Sequence, residues 1–240
     1  MSSFRPGWFY LFCRALTRLA LRLLYGIRAE HADRVPAEGP VLLVANHVSF
    51  LDPPIVGSMV ERADVAFLAR ASLFKPPLST IIRALHTLPI RDNEGDVRAI
   101  RQVIDLLAAG RPVLIFPEGS RTHDGALQPF REGFRLIARR AKCPVVPVAI
   151  EGAFHAWPRR RALPRMFGAR LMVRYGEPIP AERASGPDGN ALIEQTIDAM
   201  RLELRAALRE ATRGRFPPAG IGDLPLAEAE AERAKALEAS

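Results

Sequence analysis

The chain has 240 residues, 48% of them hydrophobic, enough to bury the core of one large domain and too apolar for a disordered or low-complexity protein. Its 34 Lys and Arg outnumber its 26 Asp and Glu, giving +8, and from Phe216 onward five acids face two bases, so the body is more basic than the total implies. That balance calls for anionic company: nucleic acid, an anionic membrane surface or phosphorylated substrates. The two cysteines, Cys13 and Cys143, lie far apart without a CxxC or Cys/His cluster, which points to neither a disulfide framework nor a zinc site and fits a reducing, cytoplasmic setting.

Residues Trp8 to Ile27 are mostly apolar, yet Arg14, Arg18 and Arg22 recur every four residues and fall on one side of a helix. Three arginines within one such stretch argue against a spanning helix, and no small-residue cleavage pattern marks a secretory signal. An amphipathic interfacial helix is the sharper reading, with Trp8-Phe9-Tyr10 at the headgroup boundary and the arginines on lipid phosphates. A helix packed on the protein's own core is the plainer one.

After a polar link, Val41 to Ala45 form the continuous aliphatic run of a strand covered on both faces. The run leads into Asn46-His47-Val48-Ser49-Phe50-Leu51-Asp52. An imidazole can take a proton from a hydroxyl near neutral pH, and a carboxylate on its far nitrogen fixes the tautomer and stabilises the imidazolium. Equally, Asp52-Pro53-Pro54 reads as the first turn of a helix, where an acid and prolines are at home. A loop leaving the carboxyl end of a buried strand is a recurrent place for catalytic groups.

Pro53 to Val60 then reads as helix, and Val65 to Ala69 as a short strand. Arg70 to Leu85, broken at Pro76-Pro77, reads as two short surface helices, and Thr87 to Ile90 as an edge strand. Asp96 to Ala109 is an amphipathic helix stopped by Gly110. The next aliphatic strand, Val113 to Phe116, ends in Pro117-Glu118-Gly119-Ser120-Arg121. Here glycine admits close backbone approach, Ser120 offers a hydroxyl and Arg121 a planar fork for phosphate oxygens. Taken alone this could be a plain turn.

A helix over Phe134 to Ala141 leads to a third buried strand, Val145 to Ile150, whose Pro147 predicts an edge or a bulge. The connector with Arg159, Arg160, Arg161, Arg165 and Arg170 reads either as a second membrane or anionic-ligand contact or as a solvated loop. Leu171 to Tyr175 alternates as a strand, and Asn190 to Ala211 is a long helix with Leu192, Ile193, Ile197, Met200, Leu204 and Leu208 inward. From Gly214 the composition predicts a tail, disordered or a marginal solvent-exposed helix. Together these elements imply an α/β fold: a mixed, largely parallel central sheet flanked by helices, with an N-terminal amphipathic, membrane-associating helix.

The blocks Asn46-His47-x-Ser49-x-x-Asp52, Phe116-Pro117-Glu118-Gly119-Ser120-Arg121 and Val146-Pro147-Val148-Ala149 resemble, in order and spacing, those of the glycerolipid acyltransferases of the lysophosphatidic acid acyltransferase type. Of the five histidines only His47 has an acid five residues on. The resemblance implies transfer of a fatty acyl group from an acyl thioester, on coenzyme A or acyl carrier protein, to a lysophospholipid hydroxyl, 1-acylglycerol-3-phosphate being the plain acceptor and another lysolipid or aminolipid the alternative. It makes His47 the general base and Asp52 its orienting acid. It places Asn46, Ser49, Arg91, Glu118, Gly119, Ser120 and Arg121 at the substrate site, with Arg91 and Arg121 toward an acceptor phosphate.

The nucleophile would be the substrate's own alcohol, and no Gly-x-Ser-x-Gly elbow is present. Backbone N–H groups near Gly119 or at the helix after Asp52 are the candidates to stabilise the oxyanion. No metal or other cofactor is expected, and nucleic acid is not, because the aromatic residues form no recognisable RNA-binding motif. The expected organisation is a membrane-interface segment over 1–27, an acyltransferase domain over 28–213 and a tail over 214–240. The expected location is the cytoplasmic face of the cell membrane, peripheral or monotopic.

Overall fold

A computed structural model describes residues 7–62, 65–70, 87–90 and 95–238. Within them, strands β1 (Arg28–Glu30), β2 (Val41–Ala45), β3 (Ala66–Arg70), β4 (Thr87–Ile90), β5 (Pro112–Ile115), β6 (Val145–Glu151) and β7 (Met172–Tyr175) form one seven-stranded sheet in the order β1-β7-β6-β2-β5-β3-β4. Only the β6–β7 pair is antiparallel; the other pairs are parallel. Every residue of β2 and β6 is buried, which is why these strands read as unbroken aliphatic runs rather than alternating ones. The helices are α1 (Trp8–Tyr25), α2 (Asp52–Met59), α3 (Gly95–Ala108), α4 (Gly133–Ala141), α5 (Ala153–Ala156), α6 (Ala181–Ala184), α7 (Gly189–Ala211) and α8 (Leu226–Glu238). The fold is thus the expected mixed, largely parallel α/β sheet flanked by helices, with β4 on an edge. The two short helices expected around Pro76-Pro77 lie outside the described residues.

Three expectations are corrected. Pro147 lies in an interior strand, not at an edge. It is tolerated because pairing with β7 begins only at Val148, opposite Tyr175, while the Pro147 carbonyl accepts from the Gly176 N–H (2.8 Å) in the turn beyond. That turn requires glycine at 176, since a Cβ there would fall 2.7 Å from the Pro147 ring.

The arginines of α1 do not point outward as a set. Arg14 donates to the carbonyls of Gly57 and Val60, and Arg18 to those of Ser58 (2.8 Å) and Val60 (3.1 Å), so both close the carboxyl end of α2, where carbonyls lack helical partners. The face of α1 left in solvent is mostly apolar, running from Trp8 (79% exposed) through Phe12, Leu16 and Leu19 to Leu23 (73%), with Arg22 exposed beside its end. No helix among the described residues is long and apolar enough to cross a membrane.

The tail is docked. Beside Ile193, Ile197, Leu204 and Leu208, the inward face of α7 carries Arg201 and Arg205, both buried. Arg201 donates to Asp198 (2.7 Å) and to the carbonyls of Gly222 (2.8 Å) and Leu224 (2.6 Å). Arg205 pairs with Glu151 (2.7 Å) at the end of β6 and with Asp223, and donates to the Pro218 carbonyl (2.8 Å). Asp198 also accepts from the Leu226 N–H (2.8 Å) at the start of α8. The inside of α7 therefore acts as a receptor for backbone carbonyls of residues 218–224, which composition alone could not indicate. Arg205→Met, which leaves Glu151 buried without its cation, lowers the free energy of unfolding by about 3–5 kcal/mol in urea titration, and adding Glu151→Leu recovers part of that loss.

Candidate active site

β2 delivers the chain into a loop that α2 terminates, and one carboxylate organises that loop. Asp52, in the first turn of α2 and fully buried, accepts at Oδ2 from the Val48 N–H (2.7 Å), the Ser49 N–H (2.7 Å) and the His47 ring at Nδ1 (2.8 Å). The two readings of Asp52, helix start and partner of an imidazole, are both realised in one residue. With Nδ1 carrying its proton toward Asp52, Nε2 of His47 keeps a lone pair to accept another. The ring stacks on Phe116 (4.0 Å between centroids, 17° between planes), and its side chain retains 18% exposure.

The second cluster closes on the first. From the end of β5, Glu118 accepts the His47 backbone N–H at Oε1 (2.5 Å) and the Gln128 backbone and side-chain N–H groups at Oε2 (3.1 and 3.3 Å). The Thr122 N–H donates to the His47 carbonyl (2.9 Å). Both peptide groups of the histidine are therefore gripped by residues 118–122. Burial pushes the Glu118 carboxyl up to about 8, with the Asp52 charge acting the same way and the His47 and Gln128 donors pulling back.

The other expected site residues divide. Asn46 is 1% exposed, and its amide bonds the Ile150 backbone both ways, Nδ2 to the carbonyl (2.9 Å) and Oδ1 from the N–H (2.8 Å). It extends the β2–β6 pairing by one side chain rather than facing a substrate. Ser49 is likewise buried: its Oγ donates to the Trp157 carbonyl (2.9 Å) and accepts from the Leu51 N–H (3.1 Å). Gly119 is exposed at φ +75°, and the Arg131 guanidinium lies where a Cβ would project, 2.7 Å from it. Ser120 is half-buried, its carbonyl held by Gln128 (3.2 Å). Arg121 lies over the Phe50 ring at 3.4 Å, and Phe50 in turn leans on Trp157. Arg91 lies outside the described residues.

Sequence reasoning missed Phe116, Gln128, Arg131 and Trp157 as supports of the site, and it missed Arg233. Arg233, on α8, clamps Asp124 with Nε (2.8 Å) and Nη2 (2.9 Å). Burial raises the Asp124 carboxyl, but hydrogen bonds from Arg233, Ala126 and Thr122 outweigh it and hold the group at about 2. Only the Phe116 stack had a local signal, since Phe116 opens the second block.

A histidine backed by a buried carboxylate, with a basic, glycine-bearing turn bonded to its peptide groups, has the groups needed to activate a hydroxyl beside an anionic group. Residues 26–151 match the family model described as Acyltransferase, and the chain belongs to that family. It is 34% identical over 205 residues to the lyso-ornithine lipid O-acyltransferase of Pseudomonas aeruginosa, covering 79% of this chain and 76% of that one. It is 32% identical over 177 residues to a 1-acyl-sn-glycerol-3-phosphate acyltransferase of Chlamydomonas reinhardtii, covering 72% of this chain but only 50% of that longer protein. The crystal structure of the 1-acyl-sn-glycerophosphate acyltransferase PlsC of Thermotoga maritima superposes with a TM-score of 0.72 at 27% identity, over 82% of this chain and 80% of that one.

The raised Glu118 carboxyl has a measurable consequence. Between its ordinary value of 4.5 and about 8 the unfolded chain ionises Glu118 while the folded chain keeps its proton, so folding stability contributed here is full below 4.5 and declines as pH rises to about 8. Urea titrations across that range should show wild-type stability falling relative to Glu118→Gln. A pH-independent difference between the two would contradict the buried, raised carboxyl.

Proposed function

We propose that the protein transfers a fatty acyl group from an acyl thioester, on coenzyme A or acyl carrier protein, to the free hydroxyl of 1-acylglycerol-3-phosphate, giving phosphatidate. The observation that carries the reading is the His47–Asp52 pair at 2.8 Å, with Asp52 fully buried and His47 partly open. Nε2 of His47 takes the proton of the acceptor hydroxyl as its oxygen attacks the thioester carbonyl. The imidazolium is stabilised by Asp52, as in a Ser-His-Asp triad with the substrate's alcohol in place of the serine. The tetrahedral oxyanion collapses by breaking the C–S bond, and the departing thiolate recovers the proton from His47. Phosphate on the acceptor is assigned to Arg121, which follows Gly119 and Ser120 in the chain, and, by the family resemblance, to Arg91. The outward apolar face of α1 would seat the protein on the cytoplasmic face of the membrane that holds its lipid substrates.

A second acceptor is favoured by the 34% identity to the lyso-ornithine lipid O-acyltransferase: the hydroxyl of a lyso-ornithine lipid, attacked by the same pair. Offering one acyl-CoA and one acyl carrier protein donor to a panel of lysolipids in mixed micelles, and identifying the product, decides between the two. Phosphatidate formation supports the first reading, and exclusive acylation of the lyso-ornithine lipid replaces it.

His47→Ala should lower kcat about a thousandfold or more with the circular dichroism spectrum unchanged. Asp52→Asn should lower kcat comparably and leave KM within a few-fold, because it alters tautomer and charge rather than acceptor contact. A loss confined to KM would assign Asp52 to binding.

A further inference from the structure

From the structure we infer that the loop of residues 158–170 is a second membrane contact, selective for anionic lipid and separate from α1. The inference rests on the proposal that the protein works on bilayer-borne lipid. It starts from a shortfall on α1. The exposed face of that helix is apolar apart from Arg22 in its last turn, while Arg14 and Arg18 are turned inward on the α2 carbonyls, so α1 offers insertion with one of its three arginines left for negative headgroups.

Most of the attraction sits elsewhere. Residues 152–176 contain six arginines and no Asp or Glu, and only Arg174 among the six is ion-paired with described residues, to Glu30 and Glu203. Arg160, Arg161 and Arg165 are exposed, and between and beyond them stand Leu163 (74% exposed) and Phe167 (71%), with Met166 beside. Cations interleaved with exposed large apolar side chains match a bilayer interface, where the rings and aliphatic chains enter the acyl boundary and the guanidinium groups stay among the phosphates. A solvated loop has no use for the apolar members, and a nucleic-acid groove would present stacking rings rather than Leu and Met.

Position supports the same partner. The loop begins at Trp157, whose carbonyl holds Ser49 and Phe50 of the His47 loop, and its own indole donates to the Arg161 carbonyl (3.0 Å). It ends at Arg170, whose guanidinium lies against Gly26 at the carboxyl end of α1, 2.4 Å from where a Cβ would be. The basic loop therefore runs from the candidate active site to the end of the apolar helix, so a bilayer touching both would lie beside His47.

The test uses the full chain and sedimentation with vesicles of phosphatidylcholine alone or mixed with phosphatidylglycerol. Wild type should prefer the mixed vesicles, and the preference should fade with added salt. Arg160→Gln/Arg161→Gln/Arg165→Gln should weaken binding to the mixed vesicles by a factor on the order of a hundred, at about fivefold per arginine, and change binding to phosphatidylcholine less than twofold. Leu163→Ser/Phe167→Ser should weaken both. Acyl transfer in detergent micelles should be unchanged in either variant, which also shows that they fold.

Equal binding of the triple variant and wild type to the mixed vesicles would overturn the inference. So would a triple variant that binds vesicles normally but loses transfer from acyl carrier protein, because the surface would then dock an acidic protein. A wild type that transfers no acyl group in micelles, yet keeps the arginine-dependent binding, would sink the proposed reaction and leave the membrane surface standing.

Discussion

One oxygen atom fixes the geometry on which the site depends. Oδ2 of Asp52 receives two backbone N–H groups and the His47 ring within 2.8 Å. A carboxylate with several donors is charge-stabilised even when buried, and the two backbone donors it gathers, at Val48 and Ser49, belong to buried residues of the loop at the end of β2. Folding the loop and orienting the imidazole are therefore one event. The prolines at 53 and 54 belong to the same device: they start α2 without needing N–H partners, at the place where Asp52 takes its donors from the preceding loop instead.

The histidine is held from its other side by strand ends far away in the chain. Glu118 and Thr122 take its N–H and carbonyl, Asn46 ties the end of β2 to Ile150, and Ser49 is bonded to Trp157. A base that must meet a hydroxyl at hydrogen-bond distance benefits from such fixing, since small displacements of a reacting group are costly in rate. The parallel order β6-β2-β5 makes this possible by bringing the carboxyl ends of three strands to one rim of the sheet.

What was legible in the sequence follows the range of the interactions. The aliphatic runs at 41–45, 113–116 and 145–150, the helical periodicity and the His47–Asp52 spacing are all local, and each matches an element or a contact. The roles of Asn46, Ser49 and Gln128 were not legible, because Asn46 and Ser49 find their partners 104 and 108 residues away, and Gln128 reaches back across a loop to Glu118. Nor was the direction of α1, whose period of four is equally consistent with arginines outward on lipid or inward on carbonyls. The acidic tail misled for a different reason. Its composition is that of a solvated helix, and what orders it is the row of arginines at 201, 205 and 209 on α7, which bind carbonyls and Asp223, together with the tail's own Arg233 on Asp124.

The enclosure of these inner groups bears on specificity. Asn46, Ser49 and Glu118 stand in the two sequence blocks that carry the resemblance, yet their polar atoms are engaged by the protein and they are buried. Their remaining hydrogen-bonding capacity is enclosed by the fold, so a substrate group reaches them only if that packing opens. In the proposed reaction, discrimination between a phosphate and an aminolipid headgroup therefore falls to groups on the outer turn: the exposed Gly119 backbone, Arg121 over Phe50 and Arg131 beside Gly119. Two relatives of similar identity carry different lysolipids in their names, one a glycerol phosphate and the other a lyso-ornithine lipid, as expected if the inner lattice preserves the base while the outer turn chooses its partner.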